Sequence, residues 1–220
     1  MTIPVPVRQS IVTQEYLPDG QYPAILYRIV QLGTQVEKFK NQNRSVKKVL
    51  FSFVIPSVTK SHKAELVPYV VHKEYTESLF ETAHLRRDLI KMVGHDFLTE
   101  ETNTDYDLAD QIATACLVTT RQRVINPTTT YVDIIDFAPI PDDMLSPDFT
   151  TDLSLFTLSP FNWNAFMALS ERIRNRIMAS KEYQALTNEN IIALKRQAEL
   201  DRQAARPEDE VLLPESDYSY

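Results

Sequence analysis

The chain has 220 residues, 43% hydrophobic and 10% aromatic, which is enough for a packed core and too apolar for wholesale disorder. The single cysteine, Cys116, excludes an internal disulfide and fits a reducing compartment. No run approaches the 18 or so apolar residues of a membrane span, and MTIPVPVRQS lacks the basic start and apolar stretch of a secretory leader. These features predict a cytoplasmic protein with no membrane partner.

The net charge of −7 is unevenly spread. Residues 1–95 carry 13 Lys/Arg against 8 Asp/Glu, residues 96–152 carry 2 against 12, and residues 153–220 carry 8 against 10. A basic first half can hold a polyanion despite an acidic total, because screening over about 8–10 Å makes local charge decisive. Charge alone favours a solvated basic face of no special purpose. Only Gly20, Gly33 and Gly94 are glycines, so no phosphate-cradling glycine loop can be assembled.

Residues 1–19 read as an irregular arm that ends in the turn Leu17-Pro18-Asp19-Gly20. A first strand is predicted from Gln21 to Leu32, and Gly33 is placed to permit a bulge. The polar, basic run GTQVEKFKNQNRSVKK then reads as a long hairpin loop. In the second strand, Lys48 to Ile55, the residues Val49, Phe51, Phe53 and Ile55 alternate onto one face as core. A second basic loop, SVTKSHKAE, leads to a third strand at Leu66–Tyr75, where Pro68 suggests an edge or a late start.

The period changes after Thr76, a candidate N-cap, and predicts a helix ending at Gly94. An acidic stretch with a short helical turn near Leu108–Ile112 precedes two strands, Ala115–Val124 and Thr130–Phe137, joined through Asn126-Pro127-Thr128. Residues 142–160 read as an acidic linker. Phe161–Leu186 reads as one helix with Phe166, Leu169, Ile173 and Ile177 as its apolar stripe, and a second helix is expected from Asn188 to Ala205. Residues 207–220 form an acidic tail ending in Tyr218-Ser219-Tyr220, expected to be disordered.

Three strands, a helix and two more strands is the connectivity of the OB fold, and another small α+β barrel has the same count. The predicted class is mainly β with appended helices (α+β). It comprises an arm at 1–19, a five-stranded OB-type barrel at 20–141 with a helix between strands 3 and 4, a linker at 142–160, a helical segment at 161–206 and a tail at 207–220.

Catalytic chemistry finds little material. His62, His72, His84 and His95 share no metal-ligand spacing with one another or with Cys116, and no hydrolase or metalloprotease motif occurs. The carboxylates Glu100, Glu101, Asp105, Asp107 and Asp110 are the candidates for a Mg²⁺-dependent nuclease, but they read better as a solvated loop and helix start. We expect neither an enzyme nor a cofactor or metal.

Binding finds more. Single strands are held by cations tracking phosphates and by aromatic faces on which bases stack, each stack worth about 1–3 kcal/mol. The first hairpin supplies Lys38, Phe39, Lys40, Arg44, Lys47 and Lys48, the next loop Lys60 and Lys63, and the fourth strand Arg121 and Arg123. Tyr27, Tyr69 and Tyr131 are the candidate stacking rings, because a hydroxyl tolerates a wet surface. In the tail, Glu208, Asp209, Glu210, Glu215, Asp217, Tyr218 and Tyr220 suit competition for a basic groove and recruitment of partners.

LPDGQYPAILYRIVQLGTQ (17–35), KKVLFSFVIP (47–56), KEYTESL (73–79), HLRRDL (84–89), CLVTTRQ (116–122), IPDD (140–143) and FNWNAFMALSERIRNRIMASKEYQAL (161–186) carry a family likeness. On these residues the chain resembles single-stranded DNA-binding proteins of tailed bacteriophages, an OB-fold replication family. The resemblance implies sequence-tolerant binding and protection of single-stranded DNA in DNA replication or recombination, within the host bacterial cytoplasm. It also implies that replication or recombination proteins are recruited through the tail, although the Tyr-Ser-Tyr end departs from the usual phenylalanine. RNA binding and a homodimer stay open. The alternative is a protein-interaction or virion-assembly module, with the barrel and the helical stripe as its contact surfaces and no nucleic-acid binding.

Overall fold

The computed structural model describes residues 12–13, 16–62, 65–96, 106–126, 129–144, 147, 153–186 and 188–204. The short β1 (Val12–Thr13) is followed by four long strands, β2 (Gly20–Phe39), β3 (Gln42–His62), β4 (Glu65–Thr76) and β5 (Ala115–Asn126), and by a fifth, β6 (Thr129–Pro139). These five pair antiparallel in the order β4-β3-β2-β5-β6. Helix α1 (His84–Val93) lies between β4 and β5 in the chain.

The predicted alternation places the core. Val49, Phe51, Phe53 and Ile55 are fully buried on the inner face of β3, with the Phe51 ring edge-on to Tyr75 at 5.3 Å and Phe53 at 5.2 Å from Phe137. Each such side chain contributes about 1.5–3 kcal/mol of transfer free energy. Leu85, Leu89 and Met92 of α1 belong to the same core, and Gly94 ends the helix in the left-handed region, its N–H donating to the Ile90 carbonyl. The helix is shorter than predicted. It starts after Ala83, not at Thr76, because β4 keeps its ladder through Thr76.

The stretch read as a long loop is a hairpin instead. The β2–β3 ladder continues from Gly33↔Lys48 to Phe39↔Gln42 and closes on the two-residue turn Lys40-Asn41, whose φ values of 46° and 64° match a tight twisted hairpin turn. Bulges at Leu26/Arg28 and Gln31/Gly33 bend β2 so that Gly20–Ile25 pairs with β5 and later residues do not.

The edge that β5 leaves is taken by β7 (Ser154–Phe156), parallel to β2 at Arg28–Val30. Residues 142–160 are therefore not a plain linker. Behind β7, the expected single helix is three: α2 (Trp163–Ala168), α3 (Glu171–Met178) and α4 (Lys181–Gln184). Breaks fall at Ser170 and Ser180, which take extended N-cap geometry; the Ser180 hydroxyl accepts the Tyr183 amide at 3.2 Å.

The apolar stripe survives these breaks. Phe166, Leu169, Ile173 and Ile177 are buried with Val30, Leu32 and Phe156 in a second core against the outer face of β2. Gly33, at φ 73°, makes that contact possible, since a Cβ there would lie 2.7 Å from Ser180 and 2.8 Å from Leu158. The last helix, α5 (Asn188–Ala204), rests on α2 through a bond from Asn164 Nδ2 to the Ala198 carbonyl.

The sheet is not closed. Among the described residues no ladder joins β4 and β6, the two ends of the strand order, so the sheet does not close into the predicted barrel at this seam. Side chains occupy part of the gap, with Lys73 Nζ 5.0 Å from the Phe137 ring centre.

Candidate nucleic-acid interface

A groove of about 690 Å³ follows the open seam, lined by β4 at Tyr69–His72 and by β6 at Thr130–Asp133. Lys60 from β3, Arg123 from β5, Tyr16 and Arg172 complete its walls. Residues far apart in the chain meet here because three elements converge. Leu17 is buried and the Pro18 carbonyl accepts from the Thr120 hydroxyl at 3.0 Å, which fixes the exposed Tyr16 at the rim. On α3, Ile173 and Ile177 face the second core, leaving Arg172 exposed toward the groove.

His72, which lines the groove, stands on the outer face of the sheet. Arg28 of β2 is in register with Ser52 of β3, and Ser52 with His72 of β4, so the three form one cross-strand row. His72 Nδ1 lies 2.9 Å from the Ser52 hydroxyl. Lys60, Arg172 and Arg28 form no ion pair among the described residues, and Arg28 Nε is buried without a hydrogen-bond partner there. Partial desolvation, then the charges of Lys60, Arg172 and Arg28, lower the His72 imidazole from its ordinary 6.5 to about 4.

Cations and rings occur as pairs around it. Arg28 lies 5.1 Å from the Tyr27 ring centre, Lys60 5.0 Å from Tyr69 and Arg123 5.5 Å from Tyr131. A ring holds a cation in place without cancelling its charge, as a carboxylate would. Lys60, in the groove's lining, and Arg28, outside it, thus keep their charges uncancelled. Arg123 differs, because it also donates to Asp133 at 2.6 and 3.2 Å and holds that carboxyl below its usual range.

The predicted residues divide. Lys60, Tyr69, Arg123 and Tyr131 line the groove. Tyr131 is 42% exposed, whereas Tyr69 at 7% and Tyr27 at 8% offer little free ring face. Arg121 is exposed on β5 and does not line the groove. The first hairpin is elsewhere: Lys60 pairs with Val67 near one end of β4 and Lys48 with Thr76 at the other, about 30 Å away at ~3.3 Å per residue.

Its cations also split across the ribbon. Arg44, opposite Glu37, shares a face with Lys48, while Lys38 and Lys47 point to the other face and Lys40 sits in the turn. Lys48 is engaged, 3.0 Å from Glu37 and 4.0 Å from Glu74, with its side chain 13% exposed. The side chain of Phe39, Lys63, and tail residues Glu208, Asp209, Glu210, Glu215, Asp217, Tyr218 and Tyr220 lie outside the described residues.

Sequence reasoning missed Tyr16, Arg28, His72 and Arg172. Arg172 alone had a visible sign, the arginine run at 172, 174 and 176 beside an apolar stripe. Its neighbours are occupied: Arg174 donates to the Met167 and Leu169 carbonyls, and Arg176 to Glu74 at 2.8 Å. Of the acidic cluster, Asp107 accepts the Ala109 amide at 2.8 Å, and Glu100, Glu101 and Asp105 lie outside the described residues. No metal-competent group of three His, Cys, Asp or Glu occurs among the described residues, and no helix there is long and apolar enough to cross a membrane.

A consequence for stability follows from His72. The unfolded imidazole protonates near 6.5 and the folded one near 4, so between these values the unfolded chain holds more protons. This contribution is intact above 6.5, declines as pH falls toward 4 and is then lost. Urea unfolding at about pH 5 and about pH 7 should show a larger loss in the wild type than in His72→Asn, where an equal loss would remove His72 as the cause.

Neither a protein-family model nor a curated protein sequence matches the chain.

Proposed function

We propose that this chain binds single-stranded nucleic acid in the β4–β6 groove, with no chemistry performed on the strand. One observation carries the reading. Lys60 and Arg172, in a groove rimmed by exposed tyrosines, and Arg28, in the strand row beside it, surround the His72 imidazole, and none has a carboxylate partner among the described residues. Phosphates answer the cations, and unstacked bases answer Tyr16 and Tyr131.

The strand order, with α1 between the third and fourth long strands, supports reading the sheet as an OB-type barrel left open at its last seam. Together with the likeness to phage proteins, it supports DNA replication or recombination as the setting, with the tail at 207–220 recruiting partners. The protein-interaction alternative loses the helical half of its surface, because Phe166, Leu169, Ile173 and Ile177 are buried within the molecule.

Fluorescence anisotropy with labelled oligo(dT) tests this reading. Three phosphate contacts, at Arg28, Lys60 and Arg172, give a slope near −2 in log affinity against log salt, at about 0.7 per contact. Duplex DNA of equal length is expected to bind more weakly. Salt-independent binding, or a preference for duplex, would contradict the proposal.

A further inference from the structure

We infer that His72 is a phosphate contact that takes up a proton as the strand binds, so that binding tightens as the solution becomes more acidic. This rests on reading the groove as a polyanion site and adds its regulation. The argument begins with placement. His72 is exposed at the groove and sits in the Arg28–Ser52–His72 row. Its Nδ1 is held by Ser52, and Nε2 makes no hydrogen bond among the described residues.

Every element around it brings charge of the same sign, or charge already engaged. β2 brings Arg28, β3 brings Lys60, and α3 brings Arg172 together with Arg176, whose partner is Glu74 on β4 itself. Across the groove, β6 brings Asp133, bound to Arg123 of β5. In the free protein desolvation, and after it these cations, keep the ring neutral, near 4 against an ordinary 6.5.

A phosphate among Arg28, Lys60 and Arg172 neutralises the charges that suppress protonation and itself favours an imidazolium. The ring then carries a proton on both nitrogens. One N–H stays with the Ser52 hydroxyl and the other becomes a donor to a phosphate oxygen. By linkage, a ligand that raises the proton affinity of His72 must itself bind more tightly to the protonated protein. The strand gains a fourth cationic contact only below the bound-state pKa.

Oligo(dT) titrations of the full chain at about pH 7.5 and about pH 5.5 at fixed salt are the test, with calorimetry in two buffers of different ionisation heat to count protons. The wild type should gain about tenfold in affinity at the lower pH and take up close to one proton per groove filled. In His72→Asn the gain and the uptake should both be gone. His84→Asn, on α1, should keep both. The His72 ring resonances should titrate more than about one unit higher in the complex than in the free chain. Binding with no proton uptake, or uptake that persists in His72→Asn, would overturn this inference and leave the groove standing. Absence of oligo(dT) binding at both pH values would overturn both.

Discussion

Lys60→Glu combined with Arg172→Glu should lower affinity for oligo(dT) by about 100-fold or more near 0.1 M salt while the fold stays intact. Both residues reach the groove, both lack a carboxylate partner among the described residues, and each reversal replaces a phosphate contact with a repulsion. Losing two contacts should also flatten the salt slope by about 1.4. The comparison variant is Lys38→Glu with Lys40→Glu at the hairpin tip. It removes the same number of cations about 30 Å or more from the groove floor, by the strand spacing, and should cost far less. Circular dichroism and anisotropy on both variants decide it, and equal losses would return the site to the hairpin.

Phe156→Ala should destabilise the chain by about 3–5 kcal/mol. Phe156 is 1% exposed and packs against Phe161 at 5.5 Å and Phe166 at 6.2 Å, so it is where β7 joins the helices to the sheet. The consequence reaches the groove. With α3 loosened, Arg172 loses its fixed position, and affinity should fall by about as much as in Arg172→Ala, since Lys60 and Tyr131 are held by other elements. Urea unfolding gives the first number and anisotropy the second. A destabilised variant with full affinity would show that the helices serve the fold alone.

The comparison of sequence with structure has a physical pattern. The β3 core was legible because Val49, Phe51, Phe53 and Ile55 alternate at the period of a strand with one buried face. Gly33 and Gly94 were legible as backbone devices, at a bulge and a helix end. The hairpin from Gly33 to Lys48 was not, because a ribbon with polar residues on both faces carries no hydrophobic period. The breaks at Ser170 and Ser180 were hidden by a stripe that continues through them, and β7 is too short to show a pattern.

The groove was half legible. Lys60, Arg123, Tyr69 and Tyr131 stood out as cations and rings near predicted loops, yet what gathers them is the open edge between β4 and β6. Sequence spacing does not encode that closeness. Arg172 belongs to a helix that reads as a separate segment, and only its docking on β2 brings it to the site. Sequence spacing likewise did not show that Lys48 lies beside Glu37 and Glu74, which engage its charge.

Ultraviolet cross-linking of a bromodeoxyuridine-substituted oligo(dT), followed by peptide mass spectrometry, tests the groove most directly. Adducts on Tyr131 and Tyr16, and in the peptides holding Lys60 and His72, are the predicted result. Adducts confined to the hairpin tip around Lys38–Arg44, or to the helices beyond Arg172, would contradict it.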